Sequence, residues 1–361
     1  MLYIYAAFLF HTTHATELLL DRKSLGFLPS SLSLVPPDEG IALSALAPSV
    51  SHPFLGMLSK VAPRFAGRIG YALLLKSGLT EELDEQKQLR DRARISLTPH
   101  VHFYGGRSGK EGAGRRLMMY EWGSGPTVLM VNGWGERATQ MVRMIEHFIK
   151  AGFRVVAFER PPNVDANVDT HDANATASDL IEFSTAIHVA AQAAGNLHAI
   201  VGHSFGAAMA MAAVRDWGDF ASRHVWISPI DHRQWINHEF SLYRQLSLHV
   251  VMRMREVVDS RYGHQVNWDQ LALPELLRAN RRPALLIHDE NDADPAAAPL
   301  IDYLLTSRLS PAQQSADPVV IARVIRFLHT DKLLTPQVRN ERLIAYRQTL
   351  VSRLRQQLRG G

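Results

Sequence analysis

His198-Ala-Ile-Val-Gly-His-Ser-Phe-Gly-Ala-Ala-Met-Ala210 is a short apolar strand that runs into a Gly-x-Ser-x-Gly turn and then directly into an alanine-rich helix. A serine can be lifted out of a sheet on so tight a bend only where its neighbours carry no colliding side chain, and Gly202 and Gly206 meet that requirement. Ala207 and Ala208 let the helix lie close to the sheet, with its amide-rich, positive end at Ser204. Five residues with three fixed positions recur by chance in many chains, so the setting decides. Residues 197–201 read as a buried strand and residues 207–214 as an apolar helix, which makes Ser204 the point from which the rest of the chain is read.

A serine hydroxyl is a weak nucleophile at neutral pH and needs a base to take its proton and a carboxylate to orient that base. Downstream, Pro283-Ala-Leu-Leu-Ile-His-Asp-Glu-Asn-Asp292 is an apolar strand ending in a polar turn that holds Asp289, Glu290, Asp292 and Asp294. A carboxylate at the C-terminal tip of a parallel strand lies on the sheet edge that carries the serine turn. Asp292 leads, with Asp294 its rival on the same turn. Val319-Val-Ile-Ala-Arg-Val-Ile-Arg-Phe-Leu-His329 is a β-branched run read as the last strand, and among 17 histidines His329 is preferred because it ends that run. A helix is expected to follow near Pro336. Upstream, Thr127-Val-Leu-Met-Val-Asn-Gly-Trp-Gly135 is a strand ending in a Gly-x-Gly turn. The backbone N–H of Trp134, with that of Phe205, supplies the two donors an oxyanion needs.

With these pieces in this order, the chain resembles the bacterial α/β-hydrolases of the esterase and serine-aminopeptidase-like type from about residue 115 to about residue 350. The matching segments are Tyr120-Glu-Trp-Gly, Val131-Asn-Gly-Trp-Gly, Ala151-Gly-Phe-Arg-Val-Val-Ala, Val201-Gly-His-Ser-Phe-Gly-Ala, Trp268-Asp-Gln-Leu-Ala-Leu-Pro and His288-Asp-Glu-Asn-Asp. His329 followed by Leu333-Leu-Thr-Pro-Gln-Val338 completes the set. The resemblance implies a mostly parallel sheet with helices on both faces and a helical lid inserted before the acid-bearing strand. It makes the serine turn a nucleophile elbow, with Ser204 as nucleophile, Asp292 as acid and His329 as base in hydrolysis of an ester, thioester or amide. The chain departs from the family pattern with Asn132-Gly133 where His-Gly is usual and Leu328 where a small Gly often precedes the histidine. It also has Glu159-Arg-Pro-Pro-Asn-Val-Asp165 where a Pro-Gly-His-Gly-like turn is common. Asn132 and Leu328 keep open a second expectation, a binding or scaffold protein that retains the fold without catalysis.

The chain has 361 residues, 46% of them apolar, which accommodates one hydrolase domain of about 240 residues and an N-terminal extension. The formal charge is +4 and the basic residues are dispersed, which argues against a phosphate backbone as partner. There are 0 cysteines, so disulfides, thiol catalysis and thiolate metal sites are excluded. Residues 1–10 are apolar, lack a preceding basic region and are too short to span a bilayer. The expectation is a cytoplasmic enzyme acting on a small acyl substrate. Asp165, Asp169, His171 and Asp172, like His288, Asp289 and Glu290, lack the spacing of a metal motif, so no metal or cofactor is expected.

Residues 1–52, rich in Ser, Leu and Pro, read as a poorly ordered lead, with Met57 an alternative start. Residues 53–112 read as a helical extension and residues 113–361 as the hydrolase domain, with a lid at about 230–282. Lys60, Arg64 and Arg68 recur every four residues among apolar neighbours. Residues 53–76 therefore form a basic amphipathic helix that suits either an anionic membrane surface or, more often, packing on its own domain. Residues 81–94 read as a solvated helix. Residues 105–114 read as a Gly-rich turn before a strand at 116–122, with no P-loop pattern. In the lid, Trp235, Phe240, Tyr243, Leu246, Val250, Met254 and Val257 stand at helical spacing, either to wall an acyl pocket or to fill the lid's own core.

Overall fold

A computed structural model describes residues 57–58, 60–75, 82–98, 116–159, 180–230, 250, 252–254, 256, 268–289 and 300–330. The chain divides into two compact units. The larger is built on one sheet of eight strands: β1 (Arg94–Leu97), β2 (Met118–Trp122), β3 (Thr127–Val131), β4 (Arg154–Phe158), β5 (Leu197–His203), β6 (Ala221–Ile227), β7 (Ala284–Asp289) and β8 (Ile301–Thr306). Their order is β1-β2-β4-β3-β5-β6-β7-β8, antiparallel at β1–β2 and β2–β4 and parallel from β4 to β8. A parallel strand is covered on both faces, so it reads as an unbroken apolar run; Val128-Leu-Met-Val131 is such a run and is buried throughout.

Helices cover both faces. On one, Val128, Met130, Val155, Ala157, Ala199, Val201, Val225, Ile227, Leu285 and Ile287 form a single core with α3 (Val142–Lys150) and α8 (Pro318–His329). On the other lie α4 (Leu180–Ala194) and α5 (Ser204–Trp217). Every residue of α5 from Phe205 to Val214 is buried, and small Ala side chains allow that close fit. The remaining helices of this unit are α2 (Asp84–Asp91), α6 (Leu273–Ala279) and α7 (Pro311–Ala316), with a 3-10 turn at Trp268–Leu271.

Two boundaries differ from the sequence reading. The domain expected to begin at residue 113 already includes α2, whose Leu89 joins the core, and β1, which pairs with β2. All four β1 residues are exposed, so no alternation of burial marks this edge strand in the sequence. The segment expected as lid to residue 282 ends earlier: α6 buries Leu273, Leu276 and Leu277 and packs on α5. In the smaller unit, α1 (Pro63–Leu75) buries Ala66 and Ile69. A Cβ on Gly70 would lie 3.0 Å from both Val250 and Met254, so this helix packs on the 250–256 segment. Phe65 on this helix, and Met57 and Val61 before it, are exposed. Among the described residues no helix is long and apolar enough to cross a membrane.

The run expected as the last strand is the helix α8. Asp317 caps it, accepting from Val319 N at 2.8 Å and Val320 N at 3.0 Å, with Pro318 in the first turn. Val320, Ile321, Val324, Phe327 and Leu328 are buried, a spacing of three and four that belongs to a helix; the β-branched composition masked it.

Candidate active site

Ser204 is the first residue of α5 and follows β5 without a linker. Its φ is 53°, in the left-handed region that costs an L-residue about 1–2 kcal/mol. The bend is imposed from both sides. A Cβ on Gly202 would lie 2.6 Å from Ala207 Cα, and one on Gly206 would lie 2.0 Å from the Asn132 carbonyl oxygen. Neither neighbour is a flexible side chain, so glycine is required at both positions. Ser204 itself is half-buried, while Phe205 is fully buried.

The same close approach brings in the turn after β3. Strands β3 and β5 are neighbours, with Val131 opposite Gly202, so residues 132–135 rise beside the elbow. The Trp134 ring meets Phe205 edge-on at 5.8 Å between centroids and Phe183 at 6.3 Å. Glu136 closes the turn: its Oε2 accepts from Gly133 N at 2.6 Å and from His203 Nδ1 at 3.0 Å. His203 alternates with Ser204 and so points to the opposite face, with Ala199 and Val201. Burial pushes the Glu136 carboxyl up, but the His203 charge, its hydrogen bond and the Gly133 N–H outweigh that and hold it below its usual range. Burial pushes the His203 ring down, yet the Glu136 charge and hydrogen bond, with the Pro311 carbonyl, hold it above its usual range. Asn132, the residue before Gly133, is buried, and among the described residues neither its Oδ1 nor its Nδ2 finds a hydrogen-bond partner.

Strand β7 ends on the same edge as β5. Asp292 and Asp294 lie outside the described residues, as does the expected helix near Pro336. Asp289 is occupied: its Oδ2 accepts from Thr306 Oγ1 at 3.0 Å and Leu309 N at 2.9 Å. Gln314, which sequence reasoning passed over, is fully buried and links Ser228 Oγ at 2.6 Å to Thr306 Oγ1 at 3.0 Å. Ser228 also has a positive φ, 43°. The only available signal for this network was the capping box of Ser310 and Gln313 that starts α7. Among the described residues no three acidic or histidine side chains converge as metal ligands would.

The structure does not bring His329 to Ser204. It is the exposed last residue of α8, with its ring 4.8 Å from that of Phe153, just before β4. The preceding Leu328 carbonyl is 2.8 Å from Nε2 of His198, the second residue of β5. These contacts lie on the N-terminal edge of the parallel strands. At about 3.3 Å per residue the elbow is about 20 Å away, several times the reach of a histidine side chain. The cause is the helix: a strand parallel to β5 would end at the elbow's edge, whereas α8 returns along the sheet and ends at the far one. The segment that leaves β8 toward the elbow's edge, Ser307-Arg-Leu-Ser-Pro311, contains no histidine.

Residues 128–353 match the alpha/beta hydrolase family. No curated relative matches the sequence. Among solved structures, an esterase from Pyrococcus furiosus is similar at 15% identity and a TM-score of 0.46, covering 70% of this chain and 95% of its own. The naproxen esterase (carboxylesterase NP) of Bacillus subtilis is similar at 15% identity and a TM-score of 0.44, covering 69% of this chain and 100% of its own. A proline iminopeptidase from Mycobacterium smegmatis is similar at 12% identity and a TM-score of 0.41, covering 65% and 98%.

Proposed function

The chain belongs to the alpha/beta hydrolase family, and on that premise we propose that it is a serine hydrolase cleaving a carboxylic ester by two-step acyl transfer at Ser204. The observation that supports this most is the backbone of Ser204. A non-glycine residue is held at φ 53° between Gly202 and Gly206, neither of which has room for a Cβ, and backbone strain of this kind clusters at active sites. Serine Oγ attacks the acyl carbonyl, and the N–H groups of Phe205 and Trp134 hold the developing oxyanion at the positive end of α5. The alcohol leaves with a proton from the base, and water activated by the same base releases the acid. Asp292, three residues past the end of β7, is the proposed carboxylate that orients it. Thioesters and amides share this chemistry and are the next substrates to try.

His329 is not the base in this proposal. The base is another histidine of the unit that holds the sheet, for which the sequence after β6 offers His232. A second reading, a protein that retains the fold for binding without turnover, is favoured by one observation. The single described histidine next to the elbow, His203, is on the other face and tied to Glu136. Reaction with a fluorophosphonate and turnover of p-nitrophenyl esters of graded chain length separate the two. The hydrolase reading expects both, each lost in Ser204→Ala; failure of the wild type in both would leave the binding reading.

A further inference from the structure

We infer that Glu136 is a positioning residue that fastens the oxyanion turn to the nucleophile strand, with His203 as its anchor. This rests on the roles proposed above for Ser204 and the Trp134 amide. A single carboxylate oxygen, Glu136 Oε2, accepts 2.6 Å from Gly133 N and 3.0 Å from His203 Nδ1. Gly133 immediately precedes Trp134, and His203 immediately precedes Ser204. One atom therefore holds the residue before the oxyanion donor and the residue before the nucleophile at a fixed separation.

Other observations fit the same role. A Cβ on Gly133 would lie 2.9 Å from Glu136 Oε2, so the carboxylate packs directly on that α-carbon. Glu136 N donates back to Gly133 O at 3.3 Å, which closes the turn from its other end. Gly135 sits at φ 74°, so the turn has glycine on both sides of Trp134 and little intrinsic stiffness. Each partner shifts the other toward its ionised form, the Glu136 carboxyl downward and the His203 ring upward. Oxyanion donors act only when held at the place where charge develops, and a displacement of about 1 Å costs about 10²-fold in rate.

The test uses the full chain with Glu136→Ala and Glu136→Gln on a short p-nitrophenyl ester, together with hydrogen exchange of residues 131–137. Glu136→Ala is expected to lower kcat by about 10²-fold while KM stays within about threefold, because the lost interaction acts in the transition state. Glu136→Gln keeps an oxygen acceptor for Gly133 N and should recover most of that loss. Should Glu136→Ala fail to fold, Glu136→Asp withdraws the carboxylate by one methylene and gives the same comparison. Wild-type kcat in the Ala variant, or equal losses in the Ala and Gln variants, would overturn the inference and leave the role of Ser204 standing. An inactive wild type would instead remove the role of Ser204. Exchange then decides alone: faster exchange at Gly133 in the Ala variant than in the Gln variant supports the tie, and equal exchange overturns it.

Discussion

Replacing Ser204 by glycine and by alanine measures the strain in the elbow without reference to activity, since both variants lack the nucleophile. At φ 53° an alanine keeps the left-handed penalty of about 1–2 kcal/mol, whereas glycine has none. Glycine loses about 0.5–1 kcal/mol more chain entropy on folding than alanine, which offsets part of that gain. Ser204 is half-buried, so loss of its hydroxyl is common to both variants and cancels. The glycine variant should therefore be the more stable by about 0.5–1 kcal/mol, or a rise in Tm of about 1–3 °C. Urea unfolding at 25 °C with matched m-values reads the difference. A glycine variant less stable than the alanine variant would refute the left-handed backbone, and with it the main support for Ser204 as nucleophile.

Gly206→Ala places a methyl 2.0 Å from the Asn132 carbonyl oxygen, so β3 or α5 must shift. A loss of about 3 kcal/mol in urea unfolding or insoluble expression is expected, and wild-type stability would contradict the contact. Asp317→Ala removes the cap on Val319 N and Val320 N and should cost about 1 kcal/mol. The Glu136–His203 pair gives stability a defined pH profile. His203, held above its ordinary value of 6.5, contributes fully below that value and loses its contribution as pH rises through the folded-state value. Glu136, held below its ordinary value of 4.5, contributes fully above that value and loses its contribution as pH falls through its folded-state value. Urea midpoints should therefore be highest between about pH 4.5 and 6.5, and Glu136→Gln should flatten the decline above that window; identical profiles would contradict the charged pair.

The elbow was legible because its two glycines, its serine and its alanines answer a single steric demand: the structure leaves no room for a Cβ at Gly202 or Gly206. The central strands were legible for a related reason: burial on both faces turns residues 128–131, 199–202 and 284–287 into unbroken apolar runs. Residues 319–328 were misread because Val and Ile suggested a strand, while the helix was decided by Asp317, Pro318 and the spacing of buried residues. That error carried His329 to the wrong edge of the sheet. Glu136 was missed because its role depends on a partner 67 residues away, and no local pattern encodes that separation. Strand β1 was missed because all four of its side chains lie outside the core, so no alternation of burial marks it.

The central claim is that Ser204 is an activated nucleophile whose base is not His329, and fluorophosphonate labelling of the wild type, Ser204→Ala and His329→Ala tests it in one experiment. The account predicts labelling of the wild type and of His329→Ala and none of Ser204→Ala. An unlabelled wild type, or labelling lost in His329→Ala while that variant remains folded, would contradict it.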